Sequence, residues 1–310
     1  MTKNIKHWVL FCLLSLIWGS SFVLMKIGLD NHLSAYQVAS LRIVAAGLVL
    51  LPVAMPQMRR IRASRLLLIF VSGAMGSLIP AYLFCIAEEQ IDSSLAGTLN
   101  GLTPIFVILT GVLFFKLQPP VQKIWGILVA VAGSFLLLLG KYHLHESGNL
   151  AYAALVIFAT ILYGLNVNIV ATYLKDESSF HLAAIALVLN AIPAAIVLFM
   201  TGYFNLAFDN RGILLATGAA SLLGIAGTAV ATIIFYVLVK TAGGIFASMV
   251  TYAIPVVAIV WGVIYGEAFT LQEAGCLLVM LTGVYLANRK PASQKVGTQK
   301  SLPKREASLE

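Results

Sequence analysis

The chain has 310 residues, of which 60% are hydrophobic and only 10% are charged, and its formal net charge is +8. A soluble core of this length could not use so much apolar surface, so the composition excludes an ordinary soluble protein and predicts an integral membrane protein. The basic residues lie between apolar runs and form no basic face with interleaved aromatic residues, so we expect no nucleic-acid partner.

Ten apolar runs follow one another along the chain. A helix needs about 20 mainly apolar residues to cross a bilayer, and runs of roughly this length occupy residues 8–27, 34–54, 66–87, 94–115, 121–140, 150–173, 180–201, 212–239, 243–265 and 270–288. The first run is too long for a signal peptide and lacks a cleavage site, so we interpret it as a retained helix. The long eighth run is expected to tilt or kink near Gly224 and Gly227. The sequence therefore predicts an all-α integral membrane protein with ten transmembrane helices.

Lysine and arginine are distributed unevenly between the two sides that this topology defines. With both termini inside, the outer loops hold only Lys141 and Arg211, whereas the inner side collects the other loop and tail cations. Cytoplasmic loops carry an excess of these residues. We therefore expect a multi-pass protein of the cell's inner membrane with both termini cytoplasmic, and a basic, polar and disordered tail at residues 289–310.

The ninth span is similar in sequence to the fourth. At a constant offset of 151 residues, Ala96 corresponds to Ala247 and Gly111 to Gly262, and the helix-breaking Pro104 corresponds to Pro255. We expect two related halves, residues 1–140 and 150–288, joined by a polar connection at 141–149. Because five spans per half is an odd number, the second half enters the membrane in the opposite sense, which predicts two inverted five-helix repeats. Such repeats place a substrate site near the midplane and rock to give alternating access.

Four segments carry a resemblance to a known family: IWGSSFVLMKIGLD, LRIVAAGLVLLP, LAGTLNGLTPIFVILTGVLFF and GEAFTLQEAGCLLVMLTGVYLA. Over about residues 8–288 the chain resembles the EamA branch of the drug/metabolite transporter superfamily. The resemblance implies a ten-helix secondary transporter, often an exporter of amino acids or other small metabolites, with a central cavity lined by the first four helices of each repeat.

The sequence departs from the family pattern at two places. Phe115 and Lys116 replace the family's usual Gly-Glu, which the second half keeps as Gly266-Glu267. Residues 8–27 contain no acid, which weakens a cationic-drug interpretation.

Polar groups inside the spans are costly unless they face protein or a water-filled cavity. On this ground, together with an aromatic lining suited to amphipathic solutes, we select as candidate substrate contacts Trp18, Ser21, Arg42, Tyr82, Asn100, Thr103, Tyr163, Asn166, Asn168, Tyr236 and Tyr252. Ser20, Asn190 and Thr228 satisfy the same polar criterion. Hydrogen bonding between helices remains open for the amides and hydroxyls, and ordinary packing for the aromatic rings.

Pro104, Pro255 and Arg42 indicate a functional site more specifically than the other polar and aromatic residues do. Pro104 and Pro255 each leave a carbonyl without its intrahelical donor, and this carbonyl could serve a ligand or a neighbouring helix, although kinking alone is the alternative. Arg42 lies about 12 Å into its helix at 1.5 Å per residue. At that depth its guanidinium is expected to point inward, to Glu88 or Glu89, or to a substrate carboxylate or a gate. Snorkelling to the surface is the third alternative.

The first function hypothesis is a secondary transporter that exports small organic metabolites such as amino acids. No G-x-x-x-x-G-K-[ST] motif is present, so we expect a proton or solute gradient to drive it and no cofactor. Cys12, Cys85 and Cys276 lack paired spacing, and two loop histidines lack further ligands, so we expect neither disulfides nor a metal site. The alternatives are an intramembrane enzyme, for which the sequence offers no catalytic motif, and a membrane scaffold or receptor. The expected assembly is a monomer or a homodimer, in contact with the lipid bilayer and a small-molecule substrate.

Overall fold

The structure is a computed structural model that describes residues 3–91, 93–141, 150–264 and 270–289. Apart from a short 3-10 turn at Tyr203–Asn205, the regular structure in these ranges forms ten helices. They are α1 (Lys3–Asp30), α2 (Ala35–Met58), α3 (Ala63–Glu88), α4 (Ser93–Asn100 and Thr103–Phe115), α5 (Val121–Lys141), α6 (Leu150–Thr172), α7 (Ser179–Met200), α8 (Arg211–Ala242), α9 (Gly244–Ser248, Met249–Tyr252 and Ile254–Ile264) and α10 (Leu271–Asn288). The predicted all-helical class and the count of ten are confirmed.

Seven of these helices, α1 to α4 and α6 to α8, are long and apolar enough to cross a membrane. Shorter apolar stretches lie in α5, α9 and α10. Large apolar side chains such as Leu113, Phe114 and Phe199 are exposed on the outside of the bundle, where a bilayer would cover them. Most of the predicted connection (142–149), the Gly266-Glu267 pair and the tail from residue 290 lie outside the described residues.

The start of α2 is fixed by polar side chains. Ser34 Oγ accepts a hydrogen bond from Gln37 N at 3.3 Å, and Gln37 Oε1 accepts one from Ser34 N at 3.0 Å. This reciprocal capping box satisfies two of the donors that a helix start leaves free. Glu89, from the end of α3, adds a third acceptor for Ala35 N at 2.9 Å. The two helices are therefore tied together at this end of the bundle.

The third and fourth helices of each half are irregular at matching places. A π-helical segment occupies Ala74–Leu78 in α3 and another occupies Leu223–Val230 in α8. The second includes Gly224 and Gly227, so the predicted irregularity of this span is confirmed. α4 is interrupted after Asn100, and α9 passes through a 3-10 turn at Met249–Tyr252. Such interruptions break the regular i→i−4 ladder and are frequent at functional sites.

Small residues allow α5 and α10 to approach closely. A methyl group added at Gly126 would lie 2.3 Å from Ala287 N, and one at Gly283 would lie 2.3 Å from Ala130 N. In lipid there is no hydrophobic drive between helices, so close van der Waals contact between small residues holds such a pair together. Gly126 of α5 lies against Ala287 of α10, and Ala130, further along α5, lies against the earlier residue Gly283 of α10. The two helices are therefore antiparallel.

The contacts between helices recur five helices later. α4 packs on α6 as α9 packs on α1, α3 packs on α6 as α8 packs on α1, and α2 packs on α8 as α7 packs on α3. α2 and α7 pair extensively with each other. Gln37 Nε2 donates to Thr201 O at 3.0 Å near one end of this pair, and Gly47 lies against Ala191 further along, so α2 and α7 are also antiparallel. The central helices thus enclose a space to which both halves contribute.

Candidate functional site

An internal cavity lies between helices of both halves. Its wall is formed by α1, α2, α3 and α4 from the first half and by α6, α8 and α9 from the second. It offers about 100 Å³ to the centres of water molecules. A single water needs ~10–15 Å³ by this measure. The cavity is therefore large enough for several waters or a small organic molecule.

Eight of the eleven predicted substrate contacts line this cavity. They are Trp18, Ser21, Arg42, Asn100, Thr103, Tyr163, Asn166 and Tyr236. Thr228, which met the polar criterion, lies there too. The structure thus brings these residues together at one place, and their contact with a substrate stays a prediction.

The other three predicted contacts lie outside the wall. Asn168 Nδ2 donates to Val107 O at 2.9 Å, to Thr110 Oγ1 at 3.0 Å and to Gly164 O at 2.9 Å, so it joins α6 to α4. The Tyr82 hydroxyl shares a hydrogen bond of 2.7 Å with Ser40 Oγ between α3 and α2. Both side chains therefore connect helices in this structure, and their contact with a substrate stays a prediction.

Tyr252, the third residue outside the wall, is fully buried in α9. Its hydroxyl has no hydrogen-bond partner within the described part of the chain. Asn190, which met the polar criterion, donates from Nδ2 to Phe70 O at 3.2 Å and to Ala186 O at 2.7 Å, and so joins α7 to α3.

Sequence reasoning missed the apolar and small residues of the wall. They are Phe22, Met25, Gly76, Ser77, Phe84, Gly227, Thr232, Phe235, Ser248, Thr251 and Ile254. Apolar residues do not stand out in an apolar helix, and serine or threonine can bond back to its own helix. One signal was available. Gly76 and Gly227 are separated by 151 residues, the same offset as the two prolines.

Gly76 and Gly227 each allow a polar side chain to approach closely. A methyl group at Gly76 would lie 2.5 Å from Asn166 Cγ, and one at Gly227 would lie 2.6 Å from Ser21 Oγ. Asn166 Nδ2 reaches past the first glycine to Ser72 O at 2.7 Å. The Gly227 carbonyl accepts from Trp18 Nε1 at 3.1 Å. The π-helical turns of α3 and α8 are therefore fixed against α6 and α1 by polar contacts in the cavity wall.

The break in α4 is stabilised by its own side chain. Pro104 has no N–H to donate to Asn100 O, and Thr103 Oγ1 donates to this carbonyl instead at 2.7 Å. Pro104 and Pro255 lie one residue after the starts of the second part of α4 and the last part of α9. Proline is well tolerated in the first turn. Both prolines therefore begin a new helix segment, and the freed carbonyl of Asn100 is satisfied within the chain.

Aromatic rings form the apolar part of the wall. The ring centroids of Trp18 and Phe235 are 5.3 Å apart, those of Phe84 and Tyr163 are 6.2 Å apart, and those of Phe22 and Phe84 are 6.3 Å apart. Rings at these distances support one another and present flat apolar faces. Such a wall can hold the apolar body of a small solute.

Arg42 is the one charged side chain among the described residues of the wall. Its Nε donates to Thr228 Oγ1 at 3.2 Å. The pairing with Glu88 or Glu89, which was one of the alternatives, is not among the described ion pairs. Glu88 Oε2 accepts from Ser93 Oγ at 2.8 Å, Glu89 caps α2, and no described ion pair includes Arg42. The Arg42 side chain thus contacts α8 through Thr228 and lines the cavity, and the acids at the end of α3 have other partners.

Lys26 Nζ and Asp30 Oδ1 lie 3.5 Å apart and form an ion pair at the end of α1. Within the described ranges, no three histidine, cysteine, aspartate or glutamate side chains come together as a metal site. The hydroxyl, amide and aromatic groups of the wall can recognise a solute by hydrogen bonds and shape, and Arg42 supplies a charge.

Comparison with known proteins gives the family. The sequence model of the EamA-like transporter family matches residues 6–139 and again residues 150–289. The chain belongs to the EamA-like transporter family. The resemblance to the EamA branch of the drug/metabolite transporter superfamily is therefore confirmed, and the protein is a multi-pass membrane transporter whose cavity lies between two family-matching segments.

Individual relatives agree with the family. An "Uncharacterized transporter" of Archaeoglobus fulgidus is 27% identical over 289 residues, covering 92% of this chain and 99% of the relative. "Protein PagO" of Salmonella typhimurium is 23% identical over 293 residues, covering 90% and 91%. A solved structure, described only as "Crystal structure of protein", matches 91% of this EamA chain and 96% of its own with a TM-score of 0.68 at 15% identity, which shows a shared fold.

Proposed function

We propose that this EamA-family protein is a secondary transporter that exports small organic metabolites, amino acids among them, from the cytoplasm by alternating access. The observation that carries the proposal is the internal cavity of mixed aromatic and polar character, to which both halves contribute. Solute sites near the midplane between two repeats are typical of secondary transporters. The substrate contacts that we propose are the eight predicted residues in the wall.

The alternating-access mechanism rests on an inverted repeat of residues 1–140 and 150–288. Three observations support it. The family model matches twice, three contacts between helices recur five helices later, and the pairs α2–α7 and α5–α10 are antiparallel. Helices at equivalent positions of an inverted repeat run in opposite directions across the membrane. We place both termini on the cytoplasmic side of the inner membrane, and leave a monomer or a homodimer as the assembly.

A gradient is the proposed energy source, since the chain has no nucleotide-binding motif. Counterflow in proteoliposomes tests transport directly. Vesicles preloaded with an unlabelled amino acid or organic acid are diluted into the labelled compound, one compound at a time. We expect transient accumulation of label above equilibrium for at least one compound, and none in vesicles without protein.

Two threonines of α8 supply a matched pair of variants for this experiment. Thr232 lines the cavity, and Thr241 is exposed near the end of the same helix. Thr232→Phe should fill the cavity and reduce counterflow at least tenfold, whereas Thr241→Phe should leave it unchanged. Equal counterflow in the two variants would show that solute does not pass through this cavity, and no accumulation for any compound would refute the transport proposal.

A further inference from the structure

We infer that the cavity selects organic anions and that Arg42 binds their carboxylate. The inference rests on the proposed function, because it takes the cavity to be the substrate site. It goes further in naming the chemical class of the substrate and the residue that sets the preference.

Arg42 has more hydrogen-bond donors than the structure uses. A guanidinium has five N–H groups in a planar fork; the one on Nε donates to Thr228 Oγ1, and the buried Cys85 sulfur, a weak acceptor, is the other described partner of this side chain. These two contacts leave N–H groups for the paired bonds that a carboxylate accepts.

Arg42 carries a charge that no described residue of the wall neutralises. Arginine stays protonated in proteins, and a charge at this depth is costly unless it is paired. Glu88 and Glu89 are bound to Ser93 and to Ala35 N, Asp30 pairs with Lys26, and no carboxylate lies among the described residues of the wall. The protein therefore leaves the counter-ion of Arg42 to be supplied by whatever enters the cavity.

The aromatic part of the wall suits the apolar body of a ligand. Phe22, Phe84 and Trp18 line the same cavity as Arg42. Their rings bury apolar surface and offer no further hydrogen-bond donor to the cavity, because Trp18 Nε1 is already bound to Gly227 O. A cationic ligand would be attracted by ring faces but repelled by Arg42, whereas a carboxylate attached to an apolar body matches both parts of the wall.

The experiment compares three ligands of one shape. Binding of 3-phenylpropanoate, 3-phenylpropanamide and 3-phenylpropylamine to the purified full-length protein in nanodiscs is measured by calorimetry, and hexanoate, hexanamide and hexylamine repeat the series with an aliphatic body. We expect at least one of the two carboxylates to bind at least tenfold more tightly than its amide, and neither amine to bind detectably.

Variants then assign the preference to Arg42. Arg42→Gln should bring the carboxylate to the affinity of the amide, and Arg42→Lys, which keeps the charge and loses the fork, should weaken carboxylate binding severalfold. Arg60→Gln removes an exposed arginine outside the cavity and should bind as the unchanged protein does. Thr228→Val removes the acceptor for Nε together with the 3.4 Å hydrogen bond from Thr228 Oγ1 to Leu223 O, and it should weaken carboxylate binding without abolishing the preference.

The outcomes separate this inference from the transport proposal. Equal binding of carboxylate and amide, absence of binding by both carboxylates, or full carboxylate affinity in a folded Arg42→Gln protein would each overturn it. If the Arg42 variants fail to elute as monodisperse protein, the ligand comparison in the unchanged protein and in Thr228→Val still decides. Selective carboxylate binding without counterflow of any solute would refute transport alone.

Discussion

At the scale of single residues, the polar groups inside the bundle differ in how their hydrogen bonds are met. Asn166 and Asn168 donate to several acceptors on neighbouring helices. The hydroxyl of Tyr252 is as deeply buried and has no partner in the described chain. Burying a polar group without a hydrogen bond costs free energy, whereas a satisfied one contributes modestly to stability. Removing a hydroxyl should therefore have opposite effects at different positions.

Two tyrosines test this difference. Tyr252→Phe removes an unpaired hydroxyl and should leave the free energy of unfolding unchanged or raise it by up to about 1 kcal/mol. Tyr236→Phe removes the acceptor of the hydrogen bond from Asn166 Nδ2 at 3.3 Å and should lower the free energy of unfolding by a similar amount. The melting temperature should change in the same direction as the free energy in each case. Both side chains are at most 2% exposed; Tyr236 lines the cavity and Tyr252 does not. Thermal unfolding of the purified proteins checks the prediction, which a destabilised Tyr252→Phe would contradict.

At the scale of helices, the bundle depends on glycines where one backbone touches another. Gly224 lies in the π-helical segment of α8, and a methyl group there would be 2.4 Å from the carbonyl oxygen of Arg42 on α2. Backbone atoms of a packed helix cannot move aside as a flexible side chain can. The position of α2, and with it the placement of Arg42 in the cavity wall, is therefore coupled to this glycine.

Gly218, on the same helix, provides the control, because a methyl group there would meet no atom within 4 Å. Gly224→Ala should destabilise the protein by about 1–3 kcal/mol through overpacking. Gly218→Ala should be neutral or stabilising, since alanine favours a helix over glycine by ~1 kcal/mol. Size-exclusion profiles after heating give the midpoints for both variants. Similar midpoints would show that α2 and α8 separate at little cost.

At the scale of the whole molecule, the two described ends of the chain lie at the same end of the bundle. The ring of His7 is 6.4 Å from that of Phe246 at the start of α9, and Asn288 Nδ2 donates to Met249 Sδ at 3.1 Å. Cations of the predicted cytoplasmic side meet acceptors at inter-helix connections. Arg65 Nε lies 3.1 Å from Glu177 Oε1, and Lys240 donates to the Glu177 carbonyl. This arrangement agrees with an even number of spans.

Single cysteines test which end faces the cytoplasm. The exposed native Cys12 is first replaced by serine; Cys85 and Cys276 are buried. Asp209 and Ser64 are exposed near the starts of α8 and α3, and they lie on opposite sides in the proposed topology. Asp209→Cys should react with an impermeant thiol reagent in intact cells, and Ser64→Cys only after permeabilisation. The reverse pattern would overturn the proposed orientation of the transporter.

The sequence by itself determined the class, the ten helices and the family, because spanning a bilayer imposes a long apolar run on every helix and a repeat leaves a constant offset, as between Pro104 and Pro255. It also identified eight residues of the cavity wall, since a polar or aromatic side chain is conspicuous among aliphatic ones. Which polar groups face the cavity was decided only by tertiary packing. Asn166 and Asn168 are two residues apart on one helix, yet only Asn166 reaches the wall, because Asn168 points to α4. Arg42 likewise faces Thr228 instead of Glu88 because Gly224 lets α8 approach the backbone of α2, a close contact that no local pattern in the sequence records.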